Sequence, residues 1–259
     1  MLPHITPLII TFDEAPNIER TLSKLAWAKR IVVIDSGSTD GTLDILARHT
    51  AVEVYHRKFD DFAAQCNFGL SQVRTLWVLS LDADYVLSDQ LVEELSGLAV
   101  APGVQGIQAR FVYCVHGRTL RGALYPPRTV LHRVENSLYE NVGHCHRVRL
   151  AGMPTALKAP IFHDDRKALG RWLDSQRRYA SQEAGYLLRG DRSRFGWTDR
   201  VRARGWIMPL AVMPYTLLVK KCLLDGWAGW FYALQRTYAE MLIALELIDL
   251  RISGKKRKS

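Results

Sequence analysis

The chain has 259 residues, 48% of them hydrophobic, which allows one large domain with an appendage and a substantial core. Its four cysteines (Cys66, Cys114, Cys145, Cys222) are scattered without a C-x-x-C pair, which argues against a disulfide framework or a Cys-rich zinc site and for a reducing, cytoplasmic setting. The net charge of +9 is uneven: residues 1–150 carry 15 Lys/Arg and 16 Asp/Glu, residues 151–259 carry 20 and 10, so the whole excess lies in the C-terminal part and suggests a nucleic acid or an anionic membrane surface as partner.

Residues 5–10 form a short apolar run that predicts a first strand; no basic stretch precedes it, so no signal peptide is expected. TFDEAPN breaks the run. Pro16, then Ile18, Leu22 and Leu25, predict a helix to about residue 28. Residues 31–34 predict a second buried strand ending in Asp35. A small, polar loop, DSGSTDGT, leads into a helix over 42–49, with Asp40 able to cap it. A third strand is expected over 51–55 and a helix over 61–73. The run LWVLSLDADY then ends a fourth strand in two carboxylates, Asp82 and Asp84, before a helix over 89–98.

This β-α-β-α-β-α-β order implies parallel strands with helices on both faces. Right-handed crossovers put every strand C-terminus on one edge. The segment 11–14, Asp35 and Asp82–Asp84 should therefore meet at one crevice, where open α/β sheets bind ligands. Beyond residue 105 the pattern turns β-rich, with strands expected over 105–114 and 130–132. A helix is expected over 168–188, a basic stretch over 189–206, apolar segments over 207–219 and 222–234, and a helix over about 230–252. The KKRK tail is expected to be disordered.

Two carboxylates one residue apart at a strand end suit a Mg²⁺ or Mn²⁺ ion that neutralises a departing diphosphate. The bland reading of Asp-x-Asp is a capped turn. Asp35 reads as a partner for a ligand hydroxyl or base. Glu14 reads equally well as a residue favouring a helix dipole. A G-x-G-x-x-G after the first strand and a G-x-x-x-x-G-K-[ST] are both lacking, which excludes dinucleotide-dehydrogenase and P-loop kinase readings.

T-F-D-E-x-x-N-I, V-V-I-D-S-G-S-T-D-G-T and L-D-A-D, in that order, resemble the family-2 inverting glycosyltransferases of GT-A fold. RGALYPPR, VGHCHRV and IFHDD…RRYASQEA resemble the lipopolysaccharide-core glucosyltransferase branch. The resemblance implies a GT-A nucleotide-sugar-binding domain over 1–188, with a nucleotide-binding half (1–100) and an acceptor half (101–188). It implies that Thr11, Asp13 and Glu14 line the nucleotide pocket, that Asp35 meets uracil or ribose, that Asp82 meets ribose or metal, that Asp84 binds metal and that His163 is a further ligand. Gln65 and Asn67 are expected to face either donor or solvent. An inverting transferase needs a base for the acceptor hydroxyl. The branch often has Glu where this chain has His146, which leaves His146, His144 and Glu140 as candidates. Cys66 replaces a basic residue common in the family helix, with Arg57, Lys58 and Arg74 as substitutes for its charge.

The expected activity is metal-dependent transfer from a nucleoside-diphosphate sugar, UDP-linked, to a lipid-linked or lipopolysaccharide-type glycan. The alternatives are a transferase-like protein with impaired catalysis or a basic surface-binding module. Residues 189–259, with Trp197, Trp206, Trp227 and Trp230 among basic residues, are expected to form a helical extension on an anionic membrane surface, at the inner face of the cytoplasmic membrane, with no nucleic acid bound. No apolar run reaches the ~20 residues of a bilayer-spanning helix.

Overall fold

The apolar runs of the first hundred residues form the centre of a seven-stranded sheet in a computed structural model that describes residues 1–135, 137–142, 145–150, 152 and 154–254. In chain order, β1 (Ile5–Thr11), α1 (Ile18–Ser23), β2 (Ile31–Asp35), α2 (Thr42–Leu46), β3 (Val52–His56), α3 (Phe62–Gln72) and β4 (Trp77–Asp82) make the predicted repeat. There follow β5 (Tyr85–Leu87), α4 (Asp89–Gly97), β6 (Gly106–Ala109), β7 (Phe111–Val115), β8 (Arg118–Thr119), β9 (Arg128–Arg133), β10 (Leu138–Val142), β11 (Cys145–Arg149), β12 (Thr155–Ala156) and β13 (Ile161–His163). The main sheet runs β12-β6-β9-β4-β1-β2-β3, with β4, β1, β2 and β3 parallel and β9 antiparallel to both its neighbours.

Alternation along the strands sorts the apolar residues onto two faces. Ile9, Val33, Leu79 and Leu81 join Ile18, Leu22, Leu91 and Leu95 in one core. Leu8, Val32, Ile34 and Val78 join Ala63, Cys66 and Leu70 in the other. That is the two-sided burial of a parallel sheet. Helix α3 lies close on its face: a Cβ on Gly69 would stand 2.5 Å from a methyl of the buried Leu8.

The expected strand over 105–114 is two strands. Arg110 separates β6, which stays in the main sheet, from β7, which pairs with β13, itself antiparallel to β5. The β10–β11 hairpin falls within the β-rich region, with Asn141 opposite His146.

Contacts divide the chain into two units, Met1–Gly117 with Tyr125–Lys167, and Arg118–Leu124 with Ala168–Ser259. The sequence reading set its boundary at 188/189. The helix α5 (Leu169–Arg189) instead groups with the C-terminal unit, because Ala180, Ala184 and Leu187 share a core with Ile243, Leu247 and Leu250 of α8 (Trp227–Ser253). Between these lie α6 (Trp197–Arg202) and α7 (Ile207–Pro214). Arg202 is held by two buried carboxylates, Glu240 at Oε2 (3.0 Å) and Glu183 at Oε1 (3.3 Å). Among the described residues, no helix is long and apolar enough to cross a membrane. The KKRK tail lies outside the described residues.

Candidate active site

Register sets the site. In the central sheet Thr11 pairs with Asp35, and its neighbour Ile10 pairs with Asp82, so the ends of β1, β2 and β4 share one edge. The Asp82–Asp84 turn is fixed from two sides: Thr21 Oγ1 of α1 donates to the carbonyl of Ala83 at 2.7 Å, and the amide of Asp164 donates to the carbonyl of Asp84 at 3.2 Å. The strand β13 thereby delivers residues 163–167 to the edge defined by the first four strands.

Asp84 is buried, and its Oδ2 lies 3.2 Å from Nε2 of His163. Burial works against the charged form, but His163 and then Lys167 outweigh it and hold this carboxyl down to about 2. His163 shows the complementary effect: burial alone would lower its pKa, and the Asp84 charge raises it instead. Lys167 is held cationic, above the ordinary lysine range, because Asp84, Glu14 and Asp165 outweigh the burial of its ammonium. Among the described residues, Asp84 Oδ1, His163 Nδ1 and Thr11 Oγ1 are buried polar atoms at this edge without a hydrogen-bond partner. An unpaired buried polar atom costs roughly 1–3 kcal/mol, so such a cluster marks a place that a ligand completes. Tyr85, Tyr113 and Tyr125 pack around the His163 ring, with centroids 5.3, 4.8 and 4.6 Å away.

The other expected nucleotide-binding residues have structural partners as well. Asp35 is fully buried and accepts from the amides of Gly37 (2.9 Å) and Ser38 (3.0 Å), so it shapes its own loop. Asp13 adopts a left-handed φ of 51° and accepts from the amide of Thr39 at 2.7 Å, which ties the first loop to the second. Glu14 pairs with Lys167 and accepts from Asn17 at 2.8 Å. Gln65 is buried under the second loop, donating to Ser36 Oγ (2.8 Å) and to the carbonyl of Arg57 (2.9 Å). Asn67 donates to the carbonyl of Tyr139 at 3.0 Å and faces the hairpin rather than solvent.

The hairpin separates the base candidates. Its inner face presents Tyr139, Asn141 and His146; the His146 ring stacks on Phe62 with centroids 5.6 Å apart. Burial lowers the pKa of His146, opposed by the charge of Asp82 and helped by that of Arg128, which favours the neutral imidazole. Glu140 is on the outer face, exposed and 3.2 Å from Arg149. His144 lies outside the described residues.

Among the described residues, no three His, Cys, Asp or Glu side chains gather as a preformed metal cage. Of the expected ligand set of Asp82, Asp84 and His163, His163 has its Nε2 3.2 Å from Oδ2 of Asp84. The free Oδ1 of Asp84, with Asp82, fits a hard cation that takes one or two carboxylates and completes its shell from substrate phosphate and water.

Sequence reasoning missed Lys167, Asn17, Tyr125 and Arg128. Arg128 and Tyr125 lie in the RGALYPPR segment, whose first half, Arg121–Leu124, belongs to the C-terminal unit and whose second half belongs to this one.

The sequence model of the family described as "Glycosyl transferase family 2" matches residues 7–158. An uncharacterized glycosyltransferase of Rickettsia bellii (strain RML369-C) is 34% identical over 92 residues, 35% of this chain and 31% of that protein. The lipopolysaccharide core biosynthesis glycosyltransferase LpsC of Rhizobium meliloti (strain 1021) is 29% identical over 107 residues, 39% of this chain and 40% of that protein. The chain thus spans 31% and 40% of the lengths of these two curated relatives. The structure of S. aureus TarS 1–349 in complex with UDP-GlcNAc superposes with a TM-score of 0.50 at 12% identity, covering 98% of this chain and 93% of that one.

Proposed function

The chain belongs to glycosyl transferase family 2, and on that premise we propose that it moves a sugar from a nucleoside-diphosphate sugar, UDP-linked, to a hydroxyl of a lipid-linked or lipopolysaccharide-type glycan, with inversion. The observation that carries this is the edge formed by Thr11, Asp82 and Asp84, where buried carboxylate and hydroxyl oxygens lack partners beside the cation of Lys167. The likeness to TarS supports the fold, and the likeness to LpsC supports the acceptor class.

In this reading Asp82 and Asp84 hold a Mg²⁺ or Mn²⁺ ion, which offsets the negative charge of the diphosphate. His163 and Lys167 keep Asp84 ionised and oriented. The loops of Asp13 and Asp35, tied together through Ser38 and Thr39, form the nucleotide cradle. His146 is the base. Its neutral imidazole accepts the proton of the acceptor hydroxyl as that oxygen bonds to the anomeric carbon and the bond from that carbon to the phosphate oxygen breaks, leaving UDP with the electron pair. Glu140, on the outer face, has no part in this.

The C-terminal unit is the membrane contact in this proposal. Trp206, Leu210 and Leu218 are 64%, 69% and 65% exposed, close in sequence to Arg200, Arg204, Lys220 and Lys221. Exposed aromatic and aliphatic side chains among basic ones suit an anionic interface.

The test is hydrolysis of UDP-sugars, without acceptor, in Mg²⁺ or Mn²⁺. Asp84→Asn is expected to lose at least about 100-fold in rate. Full activity in that variant, or in the wild type with metal chelated, would refute the assignment.

A further inference from the structure

We propose that His56 reads the nucleobase of the donor: its imidazole Nε2 accepts a hydrogen bond from the N3–H of uracil and so selects a uridine over a cytidine diphosphate. This rests on the donor-site reading above, in which the nucleoside diphosphate lies along the sheet edge with its phosphates at Asp82 and Asp84.

Three polar residues end three adjacent strands in one register. Thr11 of β1 pairs with Asp35 of β2, and Asp35 pairs with His56 of β3. Side chains alternate between the two faces of a sheet. Ile9, Val33 and Val54, two residues earlier on each strand, all pack in the core of one face, so Thr11, Asp35 and His56 share that face. The strand that carries Asp82 adjoins β1 on the other side. The order β4-β1-β2-β3 therefore sets β3 three strand spacings, roughly 14 Å, from β4. An extended nucleoside diphosphate reaches across such a distance, with its base at the far end.

The polar groups at that end are unequally committed. Asp35 accepts at Oδ2 from the amides of Gly37 and Ser38 and at Oδ1 from the Ser38 hydroxyl, so its lone pairs support its own loop. Its carbonyl accepts from the amide of Arg57 at 2.9 Å. The Arg57 guanidinium closes a two-pronged pair with Asp60 at 2.7 Å and donates to Gln65 at 2.6 Å. His56 is placed differently. Its side chain is 66% exposed beside the fully buried Asp35, and its Nδ1 lies 3.5 Å from Asp35 Oδ2. A carboxylate beside Nδ1 favours the proton on that nitrogen, and the neutral ring then presents a lone pair at Nε2. Asp35 thus acts on the base through His56, as a positioning residue. Uracil carries an N–H at N3, which this lone pair accepts. Cytosine carries a lone pair at N3, which it repels.

The experiment is calorimetric titration of the full chain with UDP and, separately, with CDP, both in Mg²⁺ at pH 8. The wild type, His56→Ala, His56→Gln and Asp84→Asn are compared, with circular dichroism as the check of folding. The wild type is expected to bind UDP roughly tenfold more tightly than CDP, the effect of one hydrogen bond made or lost at the base. His56→Ala is expected to lose that margin through weaker binding of UDP. His56→Gln, whose side-chain carbonyl can accept the same bond, is expected to recover part of the UDP affinity. A wild type that binds the two nucleotides alike or favours CDP overturns the inference. So does a His56→Ala variant that keeps the wild-type margin, whether or not both affinities fall together. In either case the donor-site reading stands if Asp84→Asn weakens both nucleotides. If the wild type binds neither nucleotide, the donor-site reading falls as well.

Discussion

Asn17 donates from Nδ2 to Oδ1 of Asp165 at 2.9 Å, across 148 residues of chain. The same amide group donates to Glu14 at 2.8 Å, and Oδ1 of Asn17 accepts from the amide of Arg166 at 2.9 Å and from the Arg20 guanidinium at 2.7 Å. This fully buried side chain thus holds the end of β13, with Lys167, against the first helix. It is the Asn of the N-terminal T-F-D-E-x-x-N-I segment, and its position is structural as much as chemical.

Asn17→Ala should therefore act at a distance from the nucleotide. It removes four partners from a buried amide, a loss on the order of 2–3 kcal/mol. It should also loosen the 163–167 segment. Denaturant unfolding and hydrogen exchange over residues 161–167 would show both; unchanged exchange there would contradict the tether.

His146→Ala separates holding the donor from using it. Transfer to acceptor should drop at least about 100-fold, as expected for loss of a general base, while UDP affinity stays near that of the wild type. An active His146→Ala enzyme would return the search for the base to Glu140 and His144.

The buried His132 makes stability depend on pH. Its Nε2 lies 2.9 Å from the Tyr139 hydroxyl, and its Nδ1 lies 3.0 Å from Ser137 Oγ. Burial lowers its pKa from 6.5 to about 4. The folded state therefore prefers the neutral ring. The stabilisation is complete above pH 6.5 and is lost as pH falls toward 4, by roughly 3 kcal/mol in all. His132→Gln should start less stable at pH 7.5 and lose less between pH 6.5 and 4. Parallel melting-temperature curves for the two proteins would rule this out.

Membrane contact predicts co-sedimentation with vesicles containing phosphatidylglycerol, weakening as salt rises. The double variant Leu210→Glu, Leu218→Glu should remain in the supernatant, since both side chains are exposed and neither supports the core. Equal binding to neutral and anionic vesicles would remove the electrostatic part, and no binding to either would remove the whole contact.

The order of short apolar runs and helices over residues 5–98 was readable from sequence because two-sided burial writes itself as local periodicity. The same reading placed residues 11–14, Asp35 and Asp82–Asp84 at one edge, which the pairing of Thr11 with Asp35 and of Ile10 with Asp82 realises. Local pattern also sufficed for the C-terminal helix, expected over 230–252 and found at Trp227–Ser253. The partners of these residues were not readable. His163 against Asp84, Lys167 between Glu14 and Asp84, and the inward His146 with the outward Glu140 all depend on β13 and the hairpin returning to the sheet from far along the chain. Charges far apart in the chain leave no periodicity, so only tertiary packing decides which of them share a site and which carboxylate stays ionised there.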